Sequence, residues 1–127
     1  MRLTDWDHNR WYHRLLLRQV PAGAHRVLDV GCGAGTLAHR LAAVVPQVDA
    51  VDRSPVMVAE ARRSAPANLT VHLADALTVD LSAGAYDAVV SSSVLHHLPL
   101  AEVLPRMAGW LRPGGVGNAR RRLPWGT

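Results

Sequence analysis

Val27-Leu28-Asp29-Val30-Gly31-Cys32-Gly33-Ala34-Gly35-Thr36 is the stretch on which the reading of this 127-residue chain turns. Arg26 to Val30 is a short, mostly apolar and β-branched run of the kind that forms a buried strand. Glycines then stand at 31, 33 and 35, and from Leu37 onward Leu41, Ala42 and Val45 share one face of a helix that stops before Pro46. A strand, a glycine turn and a helix in that order let a ligand lie against bare backbone at the carboxyl end of the strand. The plain alternative is a tight turn with no ligand. Two phosphate-binding readings fail on residue identity. A dinucleotide fingerprint needs Gly at position 36, which is Thr36, and a P-loop needs a lysine, which the chain lacks altogether.

Working outward, the alternation continues. Apolar runs recur at 48–52, 69–73 and 86–91, each followed by a turn or helix signal. Ser54-Pro55 supplies a cap and a first-turn proline for a helix through Met57, Val58 and Ala61. Leu100, Val103, Leu104, Met107 and Leu111 predict a further helix, bent at Pro105. Strands alternating with helices of this length imply a Rossmann-like α/β fold, a parallel sheet with helices on both faces. Asp52 ends the second run 21 residues after Gly31, which places its carboxylate beside the glycine loop, where it can accept ribose hydroxyls. In isolation it reads more readily as a solvated strand-end acid or the cap of the next helix.

Upstream, Asp7 to Val20 predicts one amphipathic helix over the mouth of the sheet, with Trp11 packed inward. Downstream, Val116-Gly117-Asn118-Ala119 and Arg120 to Arg122 are poor material for a strand buried on both faces. The expected sheet is therefore incomplete, about four strands, with the fourth left as an exposed edge prone to self-association. The expected division is a cap helix over 1–25, a ligand-binding core over 26–115 and an irregular basic tail over 116–127.

Charge and composition narrow the partners. Residues 1–26 carry five Arg and two Asp, a net +3; residues 27–111 carry five Arg and eight acids, −3; residues 112–127 carry four Arg and no acid, +4. Basic ends around an acidic middle are not the continuous basic stripe of a nucleic-acid groove, so nucleic acid is not the expected partner. No apolar run approaches the roughly 20 residues that cross a bilayer. With charge and Trp6 near the start in place of a signal peptide, a cytoplasmic setting is expected. A single cysteine, Cys32, excludes an internal disulfide and a multi-thiolate zinc site, and adjacent His96 and His97 diverge instead of converging on one ion, so no metal is expected.

Residues 27–36 resemble motif I of the class I S-adenosylmethionine-dependent methyltransferases. Four further pieces match in order: Asp52, Asp75-Ala76, Tyr86-Asp87-Ala88-Val89-Val90-Ser91-Ser92-Ser93-Val94-Leu95-His96-His97-Leu98, and Leu111-Arg112-Pro113-Gly114-Gly115. The resemblance spans about residues 7–115 and implies S-adenosylmethionine as cofactor. It implies that Asp29 and Gly31, Cys32, Gly33 and Gly35 hold the methionine part, that Asp52 holds the ribose with Arg53 beside it, and that Asp75 and Ala76 meet adenine. Ser91 falls where the family contacts the methionine portion, and Tyr12 on the leading helix is the lid candidate. Cys32 reads as a small turn residue and not a nucleophile.

The expected chemistry is methyl transfer to a small-molecule acceptor by in-line displacement, driven by positioning and exclusion of water. His96 or His97 is the candidate general base. The Asp/Asn-Pro-Pro-aromatic stretch of amino-methylating DNA enzymes is absent after the fourth run, where Ser91-Ser92-Ser93-Val94 stands. Complete family members have seven strands, so the chain is expected to be truncated after its LRPGG motif. The alternatives are an inactive cofactor-binding fragment and an NAD(P)-binding reductase.

Overall fold

The computed structural model describes residues 5–91 and 99–117. It contains helix α1 (Asp5–Gln19), strand β1 (Arg26–Val30), α2 (Thr36–Ala42), β2 (Gln47–Asp52), α3 (Pro55–Arg62), β3 (Leu69–Leu73), β4 (Tyr86–Val90), α4 (Leu100–Trp110) and β5 (Leu111–Gly117). The strands form one sheet in the order β3-β2-β1-β4-β5, and every pairing is parallel. The chain leaves β1 for β2 and β3 on one side, then crosses back to lay β4 on the other. The order therefore reverses between β1 and β4, which is where open α/β sheets receive ligands.

Two apolar layers hold the sheet. On one face Leu16 of α1, Leu37 and Leu41 of α2, and Val58 and Ala61 of α3 cover Val27, Val48, Ala50, Val71 and Val90. On the other, Val103, Leu104, Met107 and Trp110 of α4 cover Leu28, Val30, Val51 and Val89. Val27, Leu28, Asp29 and Val30 are all buried, as a central strand covered on both faces requires. α1 thus joins the core through Leu16, while Trp11 does not pack inward and is 61% exposed.

The fifth strand corrects the sequence expectation. β5 pairs with β4, Ala88 opposite Val116 and Val89 opposite Gly117, so the sheet has five strands among the described residues instead of about four. β4 is buried throughout and is not an edge; the outer strands of the described sheet are β3 and β5. The small residues that argued against a strand are what this position needs. A Cβ on Gly115 would lie 3.0 Å from the Arg112 carbonyl and 3.1 Å from the Asp87 carbonyl, so only glycine lets β5 approach β4 here. Leu111 opens β5 and does not extend α4.

Asp87 ties the amino ends of three strands together. Its Oδ2 accepts the backbone N–H of His25 at 2.6 Å and of Arg26 at 3.0 Å, and Arg112 of β5 pairs with its other oxygen. Burial pushes its pKa up, but those two backbone N–H groups and the Arg112 charge outweigh it and hold the carboxyl below its ordinary value. A depressed folded pKa contributes stability above the unfolded value near 4 and loses it as pH falls. Asp87→Asn is expected to destabilise the fold by about 1–3 kcal/mol at pH 7 and by less at pH 3.5, read from urea unfolding at both pH values.

Candidate functional site

The site is built where β1 hands over to α2. The N–H groups of Gly31 and Cys32 both donate to the Val51 carbonyl, at 2.7 and 3.0 Å, which folds the loop back across the end of β2. Gly33 N–H then donates to Asp52 Oδ2 at 2.9 Å, and Ser54 N–H donates to Asp52 Oδ1 at 2.9 Å. Ser54 in turn caps α3, its Oγ accepting Met57 N–H at 3.3 Å. One carboxylate thereby joins the glycine loop to the start of the next helix.

Two of the glycines have different work. A Cβ on Gly33, at φ 55°, would meet nothing within 4 Å, so the backbone there is open to a ligand. A Cβ on Gly35, at φ 89°, would stand 2.8 Å from Ala61 Cβ, so this glycine exists to seat α2 against α3. Both have left-handed backbones that disfavour a side chain, but only Gly33 leaves space.

Asp29 lies in β1 immediately before the turn and is wholly buried. Neither carboxylate oxygen has a hydrogen-bond partner among the described residues. Burial, and then the nearby charge of Asp52, push its pKa up to about 7. A buried acid with no donor is costly to keep ionised, and it is a seat for a cationic or donor-rich group. Cys32 is buried next to it, its thiol pushed up to about 12 by burial and by Asp29 and Asp52, which fits a turn residue and not a nucleophile.

The loop after β3 completes the same edge. Ala74 N–H donates to the Asp52 carbonyl at 3.0 Å. Asp75 Oδ1 accepts Leu77 N–H at 2.9 Å, and its carbonyl accepts Thr78 and Val79 N–H at 3.0 and 2.8 Å, so the segment turns about Asp75. Ala76 is buried. Ser91 is buried where the chain leaves β4, and Arg53 is exposed beside Asp52.

Asp29, the glycine loop, Asp52, Asp75, Ala76 and Ser91 thus lie along the carboxyl ends of β1 to β4. His96, His97 and the Tyr12 side chain lie outside the described residues. His13 is buried 3.4 Å from Arg40 Nη1, and burial and that charge lower its pKa, which makes it a packing residue between α1 and α2. Sequence reasoning missed Arg106 of α4, whose Nε donates to the Ala76 carbonyl at 2.8 Å.

A cleft of about 560 Å³ opens at the opposite, amino end of the sheet, between Leu17, Val20, Pro21, His25, Val44 and Pro46. No carboxylate lines it, and it lies away from the strand ends that gather the acids. Among the described residues no cluster of His, Cys, Asp or Glu could hold a metal ion, and no helix is long and apolar enough to cross a membrane.

A parallel sheet with an acid at the end of each of its first two strands and a glycine turn between them defines a Rossmann-like methyltransferase site. Residues 27–115 match the methyltransferase domain family, and the chain belongs to it. The chain is 44% identical over 113 residues to an uncharacterized methyltransferase of Mycobacterium tuberculosis, covering 87% of this chain and 57% of that protein. It is 41% identical over 103 residues to the ubiquinone biosynthesis O-methyltransferase of Xanthomonas axonopodis, covering 77% of this chain and 43% of the relative. An S-adenosylmethionine-dependent methyltransferase from Mesorhizobium loti superposes with a TM-score of 0.72 at 28% identity, over 82% of this chain and 50% of that one. The chain therefore spans about half the length of the relatives it matches. The cofactor of the family is S-adenosylmethionine, and the family match sets aside the nicotinamide reductase reading.

The state of Asp29 has a measurable consequence. A raised folded pKa means that the native state loses stability as pH rises from near 4 through about 7, because folding must then bury a charge. Asp29→Asn is expected to stabilise the ligand-free protein relative to wild type by about 2 kcal/mol more at pH 8 than at pH 5, read from urea midpoints. Cys32 is expected to react with iodoacetamide at pH 8 at least about tenfold more slowly than free cysteine, followed by mass spectrometry.

Proposed function

We propose that this chain holds S-adenosylmethionine along the carboxyl ends of β1 to β3 and transfers its methyl group to a small-molecule acceptor. The observation that carries the reading is the buried, partnerless carboxylate of Asp29 beside the open backbone of Gly33. When bound, the cofactor supplies a methyl group on a sulfonium, reactive enough to need only an acceptor held in line. The protein's task is then orientation and exclusion of water, which agrees with a site made of backbone and acids.

Each residue has a role in that reading. Asp29 and the backbone of Gly31, Cys32, Gly33 and Gly35 hold the cationic methionine end, with Ser91 from β4 on the other side of the strand reversal. Asp52 spends one lone pair of each oxygen on Gly33 and Ser54 and keeps the others for ribose hydroxyls. Asp75 keeps its second oxygen for the adenine amine, with Ala76 as backbone neighbour. Tyr12 covers the site from α1, Arg53 sits at its rim, and His96 or His97 takes the proton of an acceptor that has one to lose. Residues 1–25 act as the cap and 26–115 as the binding core, with Val116 and Gly117 completing β5 ahead of the basic residues Arg120 to Arg122, in a cytoplasmic enzyme.

A small-molecule acceptor is supported by the acidic middle of the chain and by the relative named for ubiquinone biosynthesis. Calorimetric titration with S-adenosylhomocysteine tests the cofactor half. Binding is expected, weakened about tenfold or more in Asp52→Asn. Affinity is expected to rise with pH through about 7, because the ammonium group of this ligand draws Asp29 into its ionised form and releases its proton. Failure of folded protein to bind overturns the reading. Binding without label transfer from methyl-tritiated cofactor to a pool of phenols, carboxylates, amines and amino sugars favours an inactive cofactor-binding protein.

A further inference from the structure

We propose that Arg106 is a positioning residue for base recognition, holding the loop after β3 so that Asp75 meets the adenine ring; this rests on the assignment of Asp75 above. Arg106 lies on α4, across the sheet face from that loop. Its Nε donates to the Ala76 carbonyl at 2.8 Å and its Nη2 donates to the Val79 carbonyl. Its guanidinium lies over the ring of Trp110, one helical turn on, 5.1 Å from the ring centre, and Trp110 is itself buried in the α4 layer.

The geometry is selective. The donors of the loop are turned inward, since Leu77, Thr78 and Val79 N–H all bond to Asp75. Its amino end is fixed by Ala74 N–H on the Asp52 carbonyl. The carbonyls of Ala76 and Val79 face the other way, toward α4, where one planar fork meets both. Two carbonyls three residues apart fix the rotation of the segment between them, which a single ammonium could not do. The aromatic ring below holds the guanidinium plane and leaves the side chain little freedom to lose on bonding. Asp75 and Ala76 are therefore locked on one side by Asp52 and on the other by Arg106, and the oxygen of Asp75 not bonded to Leu77 is aimed by both.

A residue that merely stabilises the fold would weaken all ligands alike. One that aims Asp75 changes the preference between bases. The test compares S-adenosylhomocysteine with S-inosylhomocysteine, in which a carbonyl replaces the exocyclic amine, by calorimetry on the intact chain. Wild type is expected to prefer the adenosyl compound by about tenfold or more, because the inosyl carbonyl faces a carboxylate. R106M, which keeps an apolar stem on Trp110 and loses both donors, is expected to bind the adenosyl compound about tenfold more weakly and the inosyl compound nearly as wild type. R106K, with one point donor, is expected to fall between them, and it carries the test if R106M does not fold. Asp75→Asn serves as the control. If it abolishes the preference while folded Arg106 variants retain the wild-type ratio, the Arg106 proposal is overturned and the Asp75 reading stands. If Asp75→Asn leaves the ratio unchanged, the Asp75 reading falls and the proposal with it.

Discussion

The carboxylate of Asp52 sits where three separate pieces of chain must agree. Its two oxygens hold Gly33 of the glycine loop and Ser54 at the start of α3, and its own carbonyl holds Ala74 beyond β3. All three bonds come from backbone donors, so they fix the path of the chain and not only a side chain. A carboxylate accepting backbone N–H groups is among the stronger hydrogen-bonded arrangements available without burying a pair of charges. Everything that could touch a ligand on the β1–β3 side is positioned relative to this one group, and Asp52 still has lone pairs to offer.

Burial first, and then the proximity of Asp52, explain the unusual state of Asp29. A single buried acid could be kept ionised by donors, but the loop's donors are spent on Val51 and Asp52, and the neighbouring charge is negative. The ligand-free protein thus carries an electrostatic cost in its most central strand. That cost is stored in the place where the proposed cofactor would bring its cationic end. Binding a positive group would relieve it, so instability of the empty site and affinity for the ligand are two faces of one arrangement.

Much of this was legible in the sequence because the signals were local. β1 could be placed to the residue, since Arg26 to Val30 is a mostly apolar run that ends at a glycine, and such runs belong to strands covered on both faces. Ser54-Pro55 announced α3 by cap chemistry alone. β5 was not legible, because the rule applied to it asks which side chains a strand must bury, whereas Gly115 is there for its lack of one. Trp11 misled for a related reason, since helical spacing says which residues share a face and not which face meets the core. Arg106 was hidden because its partners are carbonyls about 30 residues away, which leave no mark on composition or spacing.

That hidden contact changes how the two layers of the fold relate. The helices on the α2 face serve the site through the glycine loop, with Gly35 pressed against Ala61 to bring α2 and α3 together. The α4 face would otherwise be only a lid on the sheet, burying Leu28, Val30 and Val51 beneath Met107 and Trp110. Arg106 gives it a polar reach to the loop that carries Asp75, from a helix whose first residue, Leu100, follows closely on the segment bearing His96 and His97. A shift of α4 would then be felt at Ala76 and Val79 through bonds with strict angular demands, and not through soft apolar contacts that tolerate sliding. The apolar layer sets the distance between helix and sheet; the guanidinium sets the angle of the loop.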